Sequence, residues 1–493
     1  MSRRKSSLIQ AVGGYALVFI TIVEGLVLIP IYFRKIGAEN YGVWITLMSI
    51  LTVTSIVNFG VNNVINQRIS FGIAQFDDKN VKSYFVLGMI FYLFISLFFL
   101  LLSTIISVNI QSFFPNSSIE KSVLQNVFWL GVIFFILSMF NDFMRGVSQA
   151  FLKPLNVLAA NILGKLIGII TVLLLMFNGQ GLISIPLGLL CGAAASFVLN
   201  ILITQKNIGV LKGKIILDIA IIKECLSVSP SLLGARVGTI IFTKSPYVLL
   251  TYFDGASVTA VYAVLVKVGE LMLQMVRIAI NAVVPALSHL SGESINQAKS
   301  HISTISFIFT LFVIIAFGLY VSLNYHFIQL WVPNIVLSEG MRGFILWFGL
   351  AMYLFTLAEV LRSFMYSLGE FKYVSNVLLV SSSLYLLLLL ILVPNLGMEG
   401  IAYSFLTMSI VSIIILVKKA LLLEVVKIKD GVKLLVFSAF IFLIGYKLQI
   451  LSIGEGWLAL ILWAISLLLL ELLFALVYAF HELKLCWLKI IVK

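Results

Sequence analysis

Charged residues are scarce in this sequence. They make up 11% of its 493 residues, whereas hydrophobic residues make up 61%. A typical soluble domain carries about 25% charged residues, because much of its surface faces water. This deficit excludes a soluble globular protein and predicts an integral membrane protein.

Polar stretches long enough to form a soluble domain are also missing. The longest polar connection, 205–226, has roughly 20 residues, whereas domains start at about 50. Apolar runs recur instead, and about 20 apolar residues cross a hydrocarbon core as a helix. Runs such as 386–393 do not alternate apolar and polar residues, as strands of a membrane barrel do. The sequence therefore predicts an all-α integral membrane fold.

Cysteines are few and enzyme motifs are missing. Cys191, Cys225 and Cys486 lack metal-type spacing, which argues against a zinc site or a disulfide framework. The sequence has no nucleotide-binding loop ending in Lys-Ser/Thr and no His-Glu-x-x-His motif. The pair Asp77 and Asp78 favours a solvated turn over a metal site. We expect no catalytic residue, no metal and no cofactor, so the protein is not predicted to be an enzyme.

About fourteen transmembrane helices are predicted. They cover 8–33, 42–66, 84–108, 124–148, 155–177, 181–204, 228–252, 256–286, 302–324, 343–367, 373–394, 397–417, 432–449 and 456–480. An even count places both termini on one side, and cytoplasmic loops carry more Lys and Arg. The basic N-terminal residues 3–5 and the lysines of 79–82, 206–223 and 418–429 then lie together in the cytoplasm. The net charge of +13 follows from this bias and does not indicate nucleic-acid binding.

An internal repeat divides the predicted helices. Gly37 after the first span corresponds to Gly255 after the seventh, at an offset of 218. At an offset of 217, Asp142 and Arg145 correspond to Glu359 and Arg362. Six spans per repeat give two lobes in the same orientation, a layout common in transporters with a substrate site between the halves. The predicted domains are a six-helix lobe at 1–217, a second at 218–420, and two further helices with a tail at 421–493.

Charges inside the predicted spans of the lobes are mostly basic. The bases are Lys165, Arg236, Lys244, Lys267 and Arg277, and the acids are Glu24 and Glu270. A charge at the centre of a membrane helix costs about 2.5–3.5 kcal/mol, so such residues are functional candidates. Five bases against two acids predict a water-filled, positive cavity that suits a phosphate-bearing substrate.

Pairing and snorkelling are the alternatives for these bases. Glu270 can neutralise Lys267 at i,i+3, which leaves Lys165, Lys244 and Arg277 without an evident acidic partner. Long side chains can also reach the nearer interface, above all Arg236. We predict that Lys165, Lys244, Lys267 and Arg277 bind substrate.

Asparagines line two of the predicted spans. Span two contains Asn62 among Asn58, Asn63 and Asn66, and span five contains Asn161, one turn before Lys165. Asn62 and Asn161 are predicted either to face a hydrophilic path for sugar hydroxyls or to hydrogen-bond neighbouring helices.

Acids in the spans are candidates for ion coupling and gating. Glu24 or Glu270 could bind and release a proton as a low-dielectric cavity reorients. The pairs Asp142–Arg145 and Glu359–Arg362 lie at the cytoplasmic ends of spans four and ten, where they are predicted to latch a gate or cap the helices. Glu471, in span fourteen, receives no role.

One segment near the N-terminus resembles a known family. Residues 30–44 are PIYFRKIGAENYGVW, followed by NFGV at 58–61 and RIS at 68–70. They resemble the opening of Wzx-type polysaccharide flippases, where a Leu/Ile-Gly-x-x-x-(Tyr/Phe)-Gly turn precedes an Asp-Phe-Gly-like triplet. Asn58 replaces the usual acid, so a role for that acid cannot be carried over.

The resemblance implies a fold and a cargo. It implies the multidrug/oligosaccharidyl-lipid/polysaccharide superfamily, a MATE-like fold and alternating access in the bacterial inner membrane. The implied cargo is an undecaprenyl-diphosphate-linked oligosaccharide, such as an O-antigen repeat unit, flipped to the periplasmic leaflet. The implied partners are membrane lipid, a polysaccharide polymerase and a chain-length regulator.

Three other functions stay open at the sequence level. A lipid II flippase shares the fourteen-span layout and a cationic cavity. A multidrug antiporter of the same superfamily would be expected to have an acidic cavity. An O-antigen polymerase, an enzyme, would be expected to have large extracytoplasmic loops and no six-plus-six repeat.

Overall fold

Every regular element in the described part of the chain is a helix. The computed structural model describes the backbone at 3–54, 61–151, 154–208, 229–332, 335–426, 428–450 and 456–491. Side chains are described in these ranges except at 3–12, 61–64, 154, 207, 229–236, 428–430, 432 and 476–491. The α-helices are α1 (Arg3–Thr54), α2 (Val61–Ala74), α3 (Asp78–Val108), α4 (Lys121–Ala150), α5 (Pro154–Phe177), α6 (Ser184–Ile208), α7 (Ser229–Asp254), α8 (Ala256–Glu293), α9 (Ile295–Trp331), α10 (Gly340–Ser367), α11 (Phe371–Leu422), α12 (Ile428–Ile450) and α13 (Trp457–Ile491).

Two of these helices are long enough to cross a membrane twice. Among the described residues, eleven helices have the length and hydropathy of a membrane span. α1 and α11 have 52 residues each, and each is broken by a glycine with positive φ, Gly37 at 80° and Gly397 at 53°. Glycine adopts such angles because it lacks a Cβ. Gly37 lies between the first two predicted spans, and Gly397 is the first residue of the predicted span 397–417. The all-helical membrane fold is confirmed, while the count of fourteen stays a prediction.

The repeat reappears in the backbone turns. Gly37 and Gly255 both have positive φ, and so do Gly179 and Gly397. Each pair is separated by the offset of 218 that the sequence motifs share. The repeated units therefore break their helices at equivalent positions.

The chain divides into two compact units, Met1–Ala260 and Val261–Lys493. In the first unit α7 packs on α1, where the buried hydroxyls of Thr46 and Thr251 share a hydrogen bond of 2.5 Å. Thr251 also bonds Thr259 at 2.8 Å. Gly42 leaves room for the backbone of Ala256, since a Cβ there would lie 1.8 Å from its carbonyl oxygen. α7 thus belongs to the first unit, and the predicted domain boundaries at 217 and 420 stay predictions.

Asp77 begins α3. Its carboxylate accepts hydrogen bonds from the Asn80 backbone N at 3.0 Å and from the Asn80 Nδ2 at 2.6 Å. A carboxylate in this position satisfies a backbone donor that the first helical turn leaves open. The sequence predicts a solvated turn at both acids; in the structure Asp77 caps α3 and Asp78 is the first residue of that helix.

Small residues bring α5 and α6 together. A Cβ added to Gly192 would lie 2.6 Å from the carbonyl oxygen of Gly164 and 3.0 Å from the Cα of Gly168. A Cβ on Gly188 would meet Val172 at 2.2 Å. Helices in lipid associate by such close packing, since lipid tails provide no hydrophobic drive between them. The glycine pair Gly188 and Gly192 serves packing within the chain.

Gly192→Leu is expected to lower the stability of the first unit. The added side chain must force α5 and α6 apart, and overpacking costs about 1–3 kcal/mol. Thermal unfolding of the purified protein in detergent measures the effect. Gly14→Leu is the matched control, because no atom of a described neighbour lies within 4 Å of a Cβ on this helical glycine. Equal melting temperatures for both variants would contradict the close packing of α5 on α6.

Candidate functional site

Glu24 and Lys165 form an ion pair in the first unit. Glu24 lies on α1 and Lys165 on α5, and the Lys165 Nζ is 2.7 Å from the Glu24 Oε2. The same Nζ donates to the Thr21 Oγ1 at 2.7 Å. Both charged side chains are 20–25% exposed. The prediction that Lys165 lacks an acidic partner is wrong, because sequence spacing reveals partners on the same helix and not on another one.

Other predicted site residues of the first unit have different surroundings. The Lys244 Nζ lies 5.8 Å from the ring centre of Tyr247 on α7, within reach of a cation–π contact. Asn161 is half-buried on α5, one turn before Lys165 and on the same helix face. The side chains of Asn62 and Arg236 lie outside the described residues.

Arg277, Glu359 and Arg362 form a charged triad in the second unit. The Arg277 Nε donates to the Glu359 Oε1 at 3.1 Å. The Arg362 Nη2 and Nε donate to the Glu359 Oε2 at 2.6 and 3.2 Å. α8 supplies Arg277 and α10 supplies the other two. One carboxylate therefore holds two guanidinium groups, and the triad carries a net charge of about +1.

The two arginines of the triad differ in burial. The Arg362 side chain is 3% exposed, and its guanidinium lies 4.9 Å from the ring centre of Phe355. Arg277 is 39% exposed. Within the described residues, its hydrogen bonding is limited to Nε, which leaves the terminal nitrogens open to a ligand. The prediction that Arg277 lacks an acidic partner is wrong, for the same reason as at Lys165.

Lys267 and Glu270 form the predicted pair within α8. The Lys267 Nζ lies 3.8 Å from the Glu270 Oε2, and both side chains are partly exposed at 31% and 42%. The pairing is confirmed. A separation this long in a partly solvated place binds the ammonium group weakly, so Lys267 keeps capacity for another anion.

The two repeated acid–arginine pairs have unequal environments. The Arg145 Nη2 lies 3.1 Å from the Asp142 Oδ1, with side chains 42% and 49% exposed. Glu359 and Arg362 make the equivalent contact in a buried place, where Glu359 also binds Arg277. Both predicted contacts are confirmed, while their gating role stays a prediction.

Glu39 is a charged contact that the motif analysis did not single out. Its carboxylate accepts hydrogen bonds from the Ser118 backbone N at 2.9 Å and from the hydroxyls of Ser117 and Ser118. It ties the turn after Gly37 to the connection between α3 and α4. Among the described residues, no three His, Cys, Asp or Glu side chains come together as a metal site.

Solved structures with a similar fold are membrane transporters. A lipid II flippase, MurJ, in an inward closed conformation matches with a TM-score of 0.69 and 17% identity, over 95% of this chain and 99% of that one. An inward-facing MATE family multidrug resistance transporter of the MOP superfamily matches with 0.61 and 14%, over 83% and 99%. The MATE multidrug transporter DinF-BH matches with 0.53 and 14%, over 84% and 93%. The MATE-like fold predicted from the sequence is confirmed.

Sequence comparison identifies the family. No curated protein matches the chain significantly. The family profile described as "Polysaccharide biosynthesis protein" matches residues 13–291, more than half of the chain, and includes the motif at 30–44. The chain therefore belongs to the polysaccharide biosynthesis protein family, as its sequence motif predicts.

Proposed function

We propose that this protein flips an undecaprenyl-diphosphate-linked oligosaccharide from the cytoplasmic to the periplasmic leaflet of the bacterial inner membrane. Membership of a polysaccharide biosynthesis family supports a sugar cargo. The fold shared with a lipid II flippase supports a lipid-linked one. The transport proceeds by alternating access, and both termini lie in the cytoplasm.

Arg277 is the observation that carries this proposal. Moving a diphosphate through hydrocarbon without compensation is prohibitively costly. Glu359 orients the Arg277 guanidinium through Nε, and a guanidinium can grip two phosphate oxygens at once. A partly exposed arginine with open terminal nitrogens suits a diphosphate that must bind and then leave.

Several moderate contacts complete the proposed binding site. Lys165, Lys244 and Lys267 act as further point charges for phosphates and acidic sugars. Asn62 and Asn161 hydrogen-bond sugar hydroxyls. Lys165 and Lys267 are each paired with an acid, and Lys244 lies over an aromatic ring. Each lysine therefore binds the cargo weakly enough to allow its release.

The acids and the arginines paired with them are proposed to serve ion coupling and gating. Glu24 and Glu270 respond to the ion gradient, while the Asp142–Arg145 and Glu359–Arg362 contacts latch the cytoplasmic ends of their helices. The proposed partners in the membrane are a polysaccharide polymerase and a chain-length regulator, which receive the flipped unit.

Lipid II is the second candidate cargo. The lipid II flippase matches over 95% of this chain, and lipid II carries the same kind of anionic headgroup on a lipid. The triad at Arg277 suits the diphosphate of either lipid, so the two candidate cargoes differ in the sugar that each lipid carries.

Flipping in proteoliposomes tests the proposal. The purified protein is reconstituted with a fluorescent undecaprenyl-diphosphate oligosaccharide, with fluorescent lipid II, or with a cationic dye. A membrane-impermeant quencher then reports which leaflet holds the fluorescent lipids. We expect the oligosaccharide lipid to flip faster than lipid II, and the dye to show no uptake. Arg277→Ala should slow flipping by about ten- to a hundredfold, the loss of one charge-assisted hydrogen-bonded pair.

Arg277→Lys keeps the positive charge but cannot bind two phosphate oxygens at once in the way a guanidinium does. This variant should retain part of the flipping activity. Preference for lipid II would favour the second candidate. Transport of the dye alone, or Arg277→Ala flipping as fast as the parent at equal protein level, would overturn the proposed mechanism.

A further inference from the structure

Glu471 is an acid buried in the membrane-spanning part of α13. It lies 14 residues, about 21 Å, from the first residue of this helix, within the span of a hydrocarbon core of about 30 Å. The residue is 3% exposed. The charged pairs described above do not include it.

Glycine on α9 makes room for this carboxyl group. A Cβ on Gly318 would lie 2.8 Å from the Glu471 Oε1. Among the described residues, the Glu471 Oε2 is buried without a hydrogen-bond partner, and no base forms an ion pair with Glu471. Burial without a charged or hydrogen-bonded partner penalises the ionised carboxylate and therefore favours the neutral acid form of Glu471 in this packing arrangement.

Polar groups continue from this carboxyl along the contact of α9 with α12. A Cβ on Gly318 would meet the Ile441 Cγ2 at 2.4 Å, and a Cβ on Gly445 would meet the Ser322 Oγ at 2.8 Å. One turn further along each helix, the His326 Nε2 lies 3.2 Å from the Gln449 carbonyl oxygen. The three contacts are spaced by four residues on both helices, so α9 and α12 run parallel. They share a seam formed by residues 318–326 of α9 and 441–449 of α12.

Gln449 adds unused hydrogen-bonding capacity to the seam. It is fully buried, and neither its Nε2 nor its Oε1 has a hydrogen-bond partner among the described residues. An amide can donate and accept at the same time. Ser322, Gln449 and His326 therefore form a line of polar groups from the level of Gly318 to the C-terminal ends of both helices.

The other titratable and charged groups considered near the seam are Tyr320, Arg342, Lys433 and Lys447. The Tyr320 hydroxyl donates to the Leu265 carbonyl oxygen at 2.9 Å. The Arg342 guanidinium of α10 lies 4.5 Å from the ring centre of Tyr325, and its positive charge also acts on the neighbouring His326 ring. By helical geometry, Lys433 and Lys447 of α12 lie about 120° or more away from the Gly445 face. His326 is the titratable group that the line itself contains.

We propose that Glu471 is a proton-binding site, with Ser322, Gln449 and His326 as its proton path to the C-terminal ends of α9 and α12. The step is proton transfer alone: the carboxyl O–H bond breaks, its electron pair stays on the oxygen, and the proton leaves along the path. No redox partner is needed. The site itself is independent of the cargo, and its use rests on the proposed function, where the bound proton is the coupling ion.

Carbodiimide labelling tests the protonation state. Dicyclohexylcarbodiimide adds to neutral carboxylic acids in apolar surroundings, and peptide mass spectrometry of the purified full-length protein locates the adducts. At pH 7 we expect labelling of Glu471 at least about tenfold above that of Glu359, whose two arginines keep it ionised. Glu471→Gln, a neutral stand-in for the acid form, should fold normally and lose the label.

Infrared spectroscopy gives a second readout that does not depend on access of the reagent. The parent should show a carbonyl stretch of a neutral carboxylic acid that Glu471→Gln lacks, and the band should diminish at high pH. Absence of this band from the parent at pH 6, or an adduct at Glu359 in preference to Glu471, would overturn the proton site.

Transport measurements distinguish a failure of the proposed proton site from a failure of the proposed cargo. In proteoliposomes, flipping by the parent should accelerate with an imposed pH gradient, while flipping by Glu471→Gln should respond clearly less, the remaining response being that of Glu24 and Glu270. If Glu471→Gln responds as the parent does, Glu471 does not couple transport. If no lipid-linked sugar flips but the label and the infrared band persist, the proposed cargo is wrong and the proton site stands.

Discussion

Glu359→Gln is expected to destabilise the second unit by about 3–5 kcal/mol, the cost of leaving a buried charge without its partner. Arg362 is 3% exposed and directs two donors to this carboxylate, and Arg277 directs a third. The neutral amide cannot balance two guanidinium groups. Protein abundance in the membrane and thermal unfolding in detergent measure the loss, which should accompany a loss of flipping.

Asp142→Asn is the matched control for Glu359→Gln. It makes the same kind of change in the equivalent pair of the first repeat, but there both side chains are nearly half exposed. An exposed pair contributes about 0–1 kcal/mol, so this variant should unfold nearly as the parent does. Equal destabilisation by the two variants would refute the distinction between a buried triad and an exposed pair.

Exchanging the charges of Glu24 and Lys165 tests whether this ion pair serves folding or substrate binding. Glu24→Lys and Lys165→Glu each place like charges side by side in a poorly solvated contact, and each should lower protein abundance and polysaccharide export. The double variant restores an ion pair and should restore abundance. It also moves the ammonium from α5 to α1, so flipping should stay about tenfold or more below that of the parent.

Lys79→Glu and Lys372→Glu are controls for charge reversal on exposed lysines and should leave export unchanged. Full recovery of export in the double variant would mean that the pair serves folding alone, and Lys165 would have to be removed from the proposed binding site. Restored abundance without export would support a direct contact with the cargo.

The charges of the protein explain why these effects differ in size. Lys165 and Arg277 are each held by an acid on another helix, so their net field is smaller than the count of basic residues predicts. The triad keeps an excess positive charge, and Arg277 is its exposed end. The binding that we propose therefore depends on a few oriented donors more than on a broadly positive cavity.

The membrane fold could be predicted from the sequence alone, because it depends on local properties. A run of about 20 apolar residues forms a helix in lipid whatever its neighbours are, since each backbone group must be satisfied within the segment. The turn at Gly37 was predicted from the motif after the first span, whereas Gly397 was placed at the start of a predicted span and its break was not predicted. Family membership could be predicted from the turn motif at 30–44.

The pairing of charges between different helices was decided by tertiary structure. Lys267 with Glu270, and Arg362 with Glu359, are pairs within one helix, and the helical period predicts them. Glu24 meets Lys165, and Glu359 meets Arg277, because separate helices pack together, and no spacing rule reports such a contact. Glu471 lies against Gly318 for the same reason. The sequence by itself determined that the chain crosses the membrane as helices with charges at depth, whereas helix packing decided which charges are neutralised, because Coulomb energy depends on distance in space and not along the chain.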